Sequence, residues 1–183
     1  MVLNNVVGVV GSPRRGKLTD QLVSRCLEGV SSIGVSSKKV YLIDYNIPFY
    51  TERAACQDEL NLLCEEADAI IIGSPVYWGG VSGLTKNFMD TVKMSNANGK
   101  YGLGISVAGG TGKGVCSALQ SIYRFFYHRR MRGVYPTPVT RFNFDDAMKS
   151  LYVSGQKLAK LPVEKKEFID YYSRVEYYEK LRY

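Results

Sequence analysis

Short apolar runs alternate with longer amphipathic segments along the chain, and this alternation limits the folds that the chain can adopt. Residues 6–11 (VVGVVG) and 69–73 (AIIIG) are too short for helices and are rich in Val and Ile, as in strands buried on both faces. Residues 18–33, which lie between them, carry apolar side chains at helical spacing. Strands that alternate with helices predict an α/β fold with a doubly wound parallel sheet covered by helices on both faces.

The same pattern extends over the whole chain of 183 residues. It predicts strands at residues 6–11, 39–43, 69–73, 101–108 and 134–141, and helices at residues 18–33, 58–67, 84–94, 115–131, 144–161 and 164–181. Five strands in a chain of this length favour a flavodoxin-like five-stranded sheet. Because no repeat or linker interrupts the pattern, we expect one domain over residues 1–183, with C-terminal helices at about residues 144–181.

The composition is that of a folded globular protein, with 45% apolar and 22% charged residues. No apolar stretch approaches the roughly 20 residues of a membrane helix. No basic segment precedes the apolar run near the N-terminus, as it would in a signal peptide. We therefore expect a cytoplasmic protein that does not enter a membrane.

Positive charge is in excess, with a net charge of +7, and from Arg124 to Tyr183 there are 13 Lys and Arg against 7 Asp and Glu. This balance favours anionic partners. No zinc-finger, basic-zipper or RNP pattern accompanies it. Nucleic acid stays an alternative partner that no motif supports, and phosphate-bearing small molecules fit the charge equally well.

The cysteines show no metal-binding spacing. The four of them are Cys26, Cys56, Cys64 and Cys116, and none belongs to a C-x-x-C pair. With one histidine, His128, they do not form the pattern of a zinc site. We expect reduced, mostly buried thiols and no bound metal.

The nine residues GSPRRGKLT, after the first predicted strand, open a helix and have the composition of an anion site. Backbone N–H groups and the positive end of the helix dipole favour an anion there. Ser12 and Thr19 add hydroxyl donors, and Arg14 and Lys17 add positive charge. The segment is neither a Walker A loop, because Leu18 follows Lys17, nor a G-x-G-x-x-G dinucleotide turn. We interpret it as a site for a terminal phosphate; the alternative is a turn with solvated charges.

Two further loops follow predicted strands and have unusual compositions. Residues 74–83 (SPVYWGGVSG) place Tyr77 and Trp78 in a glycine-rich loop, where they can flank a planar ligand or else complete the core or a subunit contact. Residues 108–114 (AGGTGKG) expose backbone amides that can bond the carbonyl edge of a flat heterocycle. Together with the first loop, they suit a mononucleotide with a large planar ring.

These segments resemble the NADPH-dependent FMN reductase family over about residues 5–125. GSPRRGKLT resembles the family's phosphate loop, roughly G-S-P-R-K-x-G-N-T; SPVYWGGVSGLTKNFMD resembles its isoalloxazine loop and the helix that follows; and Ala108-Gly109-Gly110 corresponds to its third loop. The resemblance implies FMN bound by the residues of these loops, which are Ser12, Arg14, Lys17, Leu18, Thr19, Pro75, Val76, Tyr77, Trp78, Gly79, Ala108, Gly109 and Gly110.

The resemblance also implies an activity and an assembly. NADPH or NADH would supply hydride to the flavin, and electrons would pass to a small-molecule acceptor such as free flavin, a quinone, an azo compound or a metal ion. No catalytic acid or base side chain is expected, because the chemistry takes place on the flavin. A homodimer or homotetramer is expected, since a neighbouring subunit often covers the flavin in this family.

The sequence departs from the family pattern in two places. Leu18 stands where the family usually has Asn, which removes one polar phosphate contact, and Lys17 is placed to compensate. The related iron–sulfur flavoproteins carry a compact four-cysteine cluster after the second strand, where this chain has only Cys56 and Cys64. Because such a cluster needs four thiolates, we expect none here.

Basic residues near the predicted fifth strand have two interpretations. Arg129, Arg130 and Arg132 are candidates for the 2′-phosphate of NADPH, although a solvated helix end is the more common role for such a run. His128 is more simply explained by a helix end or the surface than by catalysis.

Three other functions share features with this sequence. An electron-transfer flavodoxin would bind FMN without oxidising a nicotinamide, but it usually carries an acidic surface, and this chain is basic. A low-molecular-weight tyrosine phosphatase needs a cysteine six residues before an arginine, and none of the four cysteines has one. A basic nucleic-acid-binding module remains an alternative that salt-dependent DNA binding would support.

Overall fold

The computed structural model describes residues 3–51, 56–95 and 97–163. The helix predicted at residues 164–181 lies outside this part of the chain. The elements are β1 (Asn5–Val10), α1 (Leu18–Ser31), β2 (Ser36–Tyr41), a short 3-10 helix (Leu42–Asp44), α2 (Asp58–Glu66), β3 (Ala69–Tyr77), β4 (Gly80–Val81), α3 (Gly83–Thr91), β5 (Tyr101–Ala108), α4 (Val115–His128), β6 (Arg132–Thr140) and α5 (Phe144–Ala159).

The sheet has the strand order β2-β1-β3-β5-β6, and all neighbours in this order are parallel. The two-residue strand β4 pairs antiparallel with the end of β3. The predicted flavodoxin-like α/β fold is therefore confirmed. In this order the chain leaves β1 in one direction and β3 in the other, so a crevice opens beyond the carboxyl ends of these strands.

Helices cover both faces of the sheet, and each face has its own apolar core. One core joins α1 and α5 to the sheet, and the other joins α2, α3 and α4 to it. Helices α1 and α5 approach so closely that a Cβ added at Gly155 would overlap the Cys26 carbonyl oxygen, and one at Gly29 would overlap that of Tyr152. Among the described helices, none is long and apolar enough to cross a membrane.

Most element ends differ from the prediction by only one to three residues, and two of the differences are informative. The second strand begins at Ser36 rather than at residue 39, because β2 is an edge strand whose polar side chains alternate and give no apolar run. The third strand continues through Pro75 to Tyr77, because β4 folds back and pairs with Val76 and Tyr77. The predicted loop at residues 74–83 is therefore a strand end followed by a tight hairpin.

Candidate functional site

A cleft of about 270 Å³ opens beyond the carboxyl ends of β1, β3 and β5. It is lined by Ser12, Arg14, Lys17, Leu18, Thr19, Pro75, Val76, Tyr77, Val107 and Gly109. The first segment (residues 11–19), the second (residues 74–83) and the third (residues 108–114) each contribute lining residues, so the three meet around one cavity. They are brought together because the carboxyl ends of parallel strands share one edge of the sheet.

The first segment presents backbone donors and two cations to this cleft. Helix α1 begins after Lys17, and no side chain caps its N-terminus. Within residues 3–51, 56–95 and 97–163, the backbone N–H groups of Lys17, Leu18 and Thr19 have no acceptor. The side chains of Arg14 and Lys17 are exposed and form no ion pair with another described residue. This end of the cleft is suited to an anion.

The neighbouring arginine has a different role. The Arg15 guanidinium forms an ion pair with Asp44 and lies 4.2 Å from the centre of the Tyr41 ring. Both partners belong to the β2 side of the loop, so Arg15 is held there and does not line the cleft. The sequence Arg14-Arg15 does not reveal which of the two cations faces the cavity.

The shape of the loop is held by hydrogen bonds to its own backbone. The Ser12 hydroxyl accepts a bond from the Arg14 N–H at 3.1 Å, and the buried Asp20 carboxylate accepts one from the Gly16 N–H at 2.7 Å. Gly16 has a φ of +67°, a conformation that glycine adopts at little cost. Asp20 was not singled out in the sequence, because an acidic residue in the first turn of a helix is common.

Asp20 is the centre of a charged cluster. Lys39 Nζ lies 2.8 Å from one Asp20 oxygen, and the Tyr41 hydroxyl donates to the other at 3.1 Å. Burial opposes the ionisation of Asp20, but the hydrogen bonds from Lys39 and Gly16 and the charge of Lys39 outweigh it, so the pKa of Asp20 is lowered. Burial likewise opposes the charge on Lys39, yet its bonds with Asp20 and Tyr41 raise the Lys39 pKa. Both groups are therefore ionised at neutral pH.

The second segment forms a wall of the cleft and a hairpin at its rim. Pro75 is buried, Val76 is half-buried, and Tyr77 is 41% exposed. The two turn residues, Trp78 and Gly79, have φ values of +51° and +82°, as the tight two-residue turns of hairpins require. The Trp78 side chain is fully exposed, which excludes the alternative that it completes the core.

Buried hydroxyls tie this hairpin to the first segment. The Ser82 N–H donates to the Ser74 hydroxyl at 3.0 Å, and the Ser82 hydroxyl donates to the Gly11 carbonyl at 2.5 Å. Ser82 also caps α3 by accepting from the Thr85 N–H at 3.1 Å. These bonds hold the ends of β1 and β3 together under the cleft.

The third segment contributes Gly109 directly, and its glycines allow the second segment to approach. A Cβ added at Gly114 would overlap the backbone of Gly79, and Gly114 has a φ of +82°. Ala108 is buried at the end of β5, and Gly110 is exposed. The backbone of the Gly79 turn can therefore lie directly on this loop.

The predicted site and the observed cleft differ in a few residues. Trp78, Gly79, Ala108 and Gly110 stand beside the cavity rather than in its lining. Val107 lines it and was not predicted, since in sequence it is one more apolar residue of a buried strand. The available signal was the place of Val107 at the end of the predicted strand at residues 101–108, directly before the third segment.

Other residues considered in the sequence lie away from the cleft. Arg129 and Arg130 follow the last residue of α4, and Arg132 begins β6, so they lie at the edge of the sheet opposite the cleft. Arg129 donates to the Val92 carbonyl at 2.8 Å. His128 is exposed in the last turn of α4. The structure thus separates this arginine run from the candidate site and favours the helix-end interpretation.

The cysteines are distributed over the molecule. Cys26 belongs to the core under α1 and α5, whereas Cys56 and Cys64 belong to the core on the other face of the sheet, and Cys116 is exposed. Burial raises the pKa of Cys26 and of Cys64 to about 12, so both are protonated thiols at neutral pH. Within the part of the chain that the structure describes, no three His, Cys, Asp or Glu side chains are grouped as metal ligands. The expected absence of an iron–sulfur cluster stays a prediction, which iron and sulfide analysis tests.

Curated relatives are similar to about three fifths to two thirds of the chain. An iron–sulfur flavoprotein of Archaeoglobus fulgidus is 32% identical over 122 residues, which cover 58% of this chain and 56% of the relative. An iron–sulfur flavoprotein of Methanocaldococcus jannaschii is 31% identical over 136 residues, covering 66% of this chain and 70% of the relative. The chain therefore spans little more than half the length of the first relative.

A solved structure shows the same fold at low sequence identity. The NAD(P)H:quinone oxidoreductase from Methanothermobacter marburgensis superposes with a TM-score of 0.69 and 14% identity, covering 88% of this chain and all of that one. At the level of sequence, the model of the NADPH-dependent FMN reductase family matches residues 4–137, which include all three segments around the cleft. The chain belongs to the NADPH-dependent FMN reductase family.

Proposed function

We propose that this protein is a flavin-dependent oxidoreductase that binds FMN in the cleft, accepts hydride from NADPH or NADH, and reduces a small-molecule acceptor. One observation carries the proposal: three separate βα segments meet around one cavity, to which Arg14 and Lys17 bring cations without an ion pair to another described residue and Pro75, Val76 and Tyr77 bring apolar surface. When bound, FMN would supply the redox chemistry of its isoalloxazine ring.

The phosphate of FMN is assigned to the first segment. Arg14 and Lys17 provide charge, Ser12 and Thr19 provide hydroxyls, and the N–H groups at the start of α1 provide further donors. The single anion site suits one phosphate better than the pyrophosphate of FAD. Leu18 replaces a polar contact of the family pattern and leaves Lys17 as the neighbouring charged donor.

The isoalloxazine ring is assigned to the second and third segments. Pro75, Val76 and Tyr77 offer apolar contact area, and Gly109 leaves backbone groups accessible because it has no side chain. Trp78 stands at the rim, fully exposed, where it can close over the ring or over an acceptor. The role of this chain is to bind and orient the flavin and to leave one face open for hydride.

The cofactor is tested by the visible spectrum of the purified protein and by identification of the chromophore that it releases. We expect FMN, and in titrations of the apoprotein we expect tighter binding of FMN than of FAD. Equal or tighter binding of FAD would contradict the one-phosphate assignment. Anaerobic addition of NADPH or NADH should then bleach the bound flavin. FMN binding without bleaching by either nucleotide would favour the electron-transfer flavodoxin alternative.

Two adjacent arginines provide a matched pair of variants for the phosphate site. Arg14→Ala should weaken FMN binding by about 1.5–3 kcal/mol, the usual contribution of a charged hydrogen bond, and should leave riboflavin binding nearly unchanged. Arg15→Ala also removes one positive charge, but the Arg15 side chain is held by Asp44 and Tyr41. This variant should weaken FMN binding by at most about 1 kcal/mol. An equal loss for FMN and riboflavin in Arg14→Ala would show that Arg14 supports the fold instead.

The acceptor and the assembly belong to the same proposal. Steady-state oxidation of nicotinamide with free flavin, a quinone, an azo dye or ferric ion separates the acceptor classes.

A homodimer or homotetramer would let a neighbouring subunit cover the open cleft, and sedimentation equilibrium measures the oligomeric state directly. A cytoplasmic location and the absence of nucleic-acid binding stay predictions.

A further inference from the structure

A cluster of charged and polar side chains lies against the first segment and outside the cleft lining. We call Asp20, Lys39 and Tyr41 the loop anchor. Asp20 comes from the first turn of α1, and Lys39 and Tyr41 come from β2. The Asp20 side chain is 7% exposed, and its carboxylate accepts hydrogen bonds from Lys39 at 2.8 Å, from Tyr41 at 3.1 Å and from the Gly16 N–H at 2.7 Å.

The bond to Gly16 links the anchor to the two cations of the cleft. Gly16 lies between Arg14 and Lys17, and its φ of +67° sets the direction in which the loop turns. Neither cation forms an ion pair with another described residue. Their positions therefore depend on the backbone that carries them, and Asp20 holds that backbone at its turn.

The anchor also determines the charge beneath the loop. A lone carboxylate next to Thr19 would repel any anion bound at the start of α1, because like charges at short distance repel each other. Lys39 Nζ, at 2.8 Å, compensates this charge. Ser24 accepts a bond from Lys39 at 2.8 Å and holds the ammonium in place.

We propose that Asp20 and Lys39 are positioning residues that set the preference of this protein for phosphorylated over unphosphorylated flavin, Asp20 by fixing the loop at Gly16 and Lys39 by neutralising Asp20. This inference rests on the proposed FMN site. Neither residue lines the cleft, so the effect passes through the loop and through the charge of the pair.

The test compares the dissociation constants of FMN and riboflavin for the apoprotein and its variants, by flavin fluorescence. The measured quantity is the ratio of the riboflavin constant to the FMN constant. Partial unfolding of a variant lowers the binding of both ligands by the same factor and leaves this ratio unchanged. A merely structural role therefore would not move it.

Lys39→Met leaves the Asp20 carboxylate uncompensated and should lower the ratio by roughly tenfold or more. Asp20→Ala releases the Gly16 N–H, so the loop loses its fixed turn, and the ratio should fall even though Lys39 keeps its charge. Tyr41→Phe removes one hydroxyl and should lower the ratio in the same direction by a smaller factor, and it provides a mild variant if the others do not fold. The matched control is Glu28→Gln, which breaks the exposed Arg25–Glu28 pair farther along α1 and should leave the ratio as in wild type.

The outcomes separate this inference from the proposed function. If wild type does not bind FMN, the proposed function fails. If wild type prefers FMN and the anchor variants keep that preference within about twofold, the positioning role is refuted while the FMN site stands. A ratio that falls in Glu28→Gln as far as in Asp20→Ala would also refute it, because α1 in general, rather than the anchor, would then set the preference.

Discussion

Trp78 combines full exposure with an unfavourable backbone conformation. Its side chain buries no surface in the free protein, and its φ is +51°. A non-glycine residue in the left-handed region costs about 1–2 kcal/mol. Such strain without a packing contribution is frequent at ligand-binding positions. We therefore predict that Trp78 contributes to flavin binding and not to the stability of the apoprotein.

The expected change in stability follows from these two facts. Trp78→Ala removes an exposed indole and keeps the strained turn, so the free energy of unfolding should stay within about 1 kcal/mol of wild type. Trp78→Gly relieves about 1–2 kcal/mol of backbone strain. It also raises the conformational entropy of the unfolded chain, which opposes that gain by about 0.5–1 kcal/mol. Truncation of a buried tryptophan would instead cost about 3–5 kcal/mol.

Urea unfolding of the apoprotein and titration with flavin measure the two effects separately. Both variants should bind FMN and riboflavin more weakly by similar factors, because the proposed contact of the indole is with the ring and not with the phosphate. Trp78 is the only tryptophan, so its fluorescence should fall in a saturable way when FMN is added to wild type. Phe142→Ala, which truncates another exposed aromatic outside the cleft lining, is the control and should leave binding unchanged. A fall of more than about 2 kcal/mol in the free energy of unfolding, or an unchanged FMN affinity, would refute the assignment of Trp78 to flavin binding.

Three further predictions concern packing, titration and thiol reactivity. Gly155→Ala should destabilise the protein by about 1–3 kcal/mol in urea unfolding, because the added Cβ would overlap the Cys26 carbonyl oxygen. A Cβ added at Gly83 would have no atom within 4 Å, so Gly83→Ala should change the stability little, and equal effects would contradict the close helix packing. The pKa of Asp20 is lowered on folding, so the free energy of unfolding of wild type should exceed that of Asp20→Asn above about pH 4, and this difference should shrink as pH falls further. A difference that does not vary between pH 2 and 7 would contradict this prediction. Native protein should react rapidly with a thiol reagent at Cys116 alone, since the other three thiols are buried, and unfolding should release all four.

Much of the fold and part of the site could be predicted from local sequence patterns. Apolar runs such as residues 69–73 mark strands buried on both faces, and their alternation with amphipathic segments determines a parallel sheet. The sheet in turn determines that the segments after β1, β3 and β5 share one edge. The anion and aromatic characters of these segments depend only on which residues follow each strand, so the sequence carries them directly.

Only the tertiary structure decided how individual side chains in these segments are used. Arg14 and Arg15 are the same residue type in adjacent positions. Only Arg15 is held away from the cleft, by Tyr41 at the end of β2 and by Asp44 in the short 3-10 helix that follows. In the sequence Asp20 looks like any acidic residue in the first turn of a helix, and only its ion pair with Lys39 shows that it belongs to a charged cluster. These contacts join residues far apart in the chain, and their geometry depends on how α1 packs on β2. A local pattern contains the residue types for such contacts but not the distances between them.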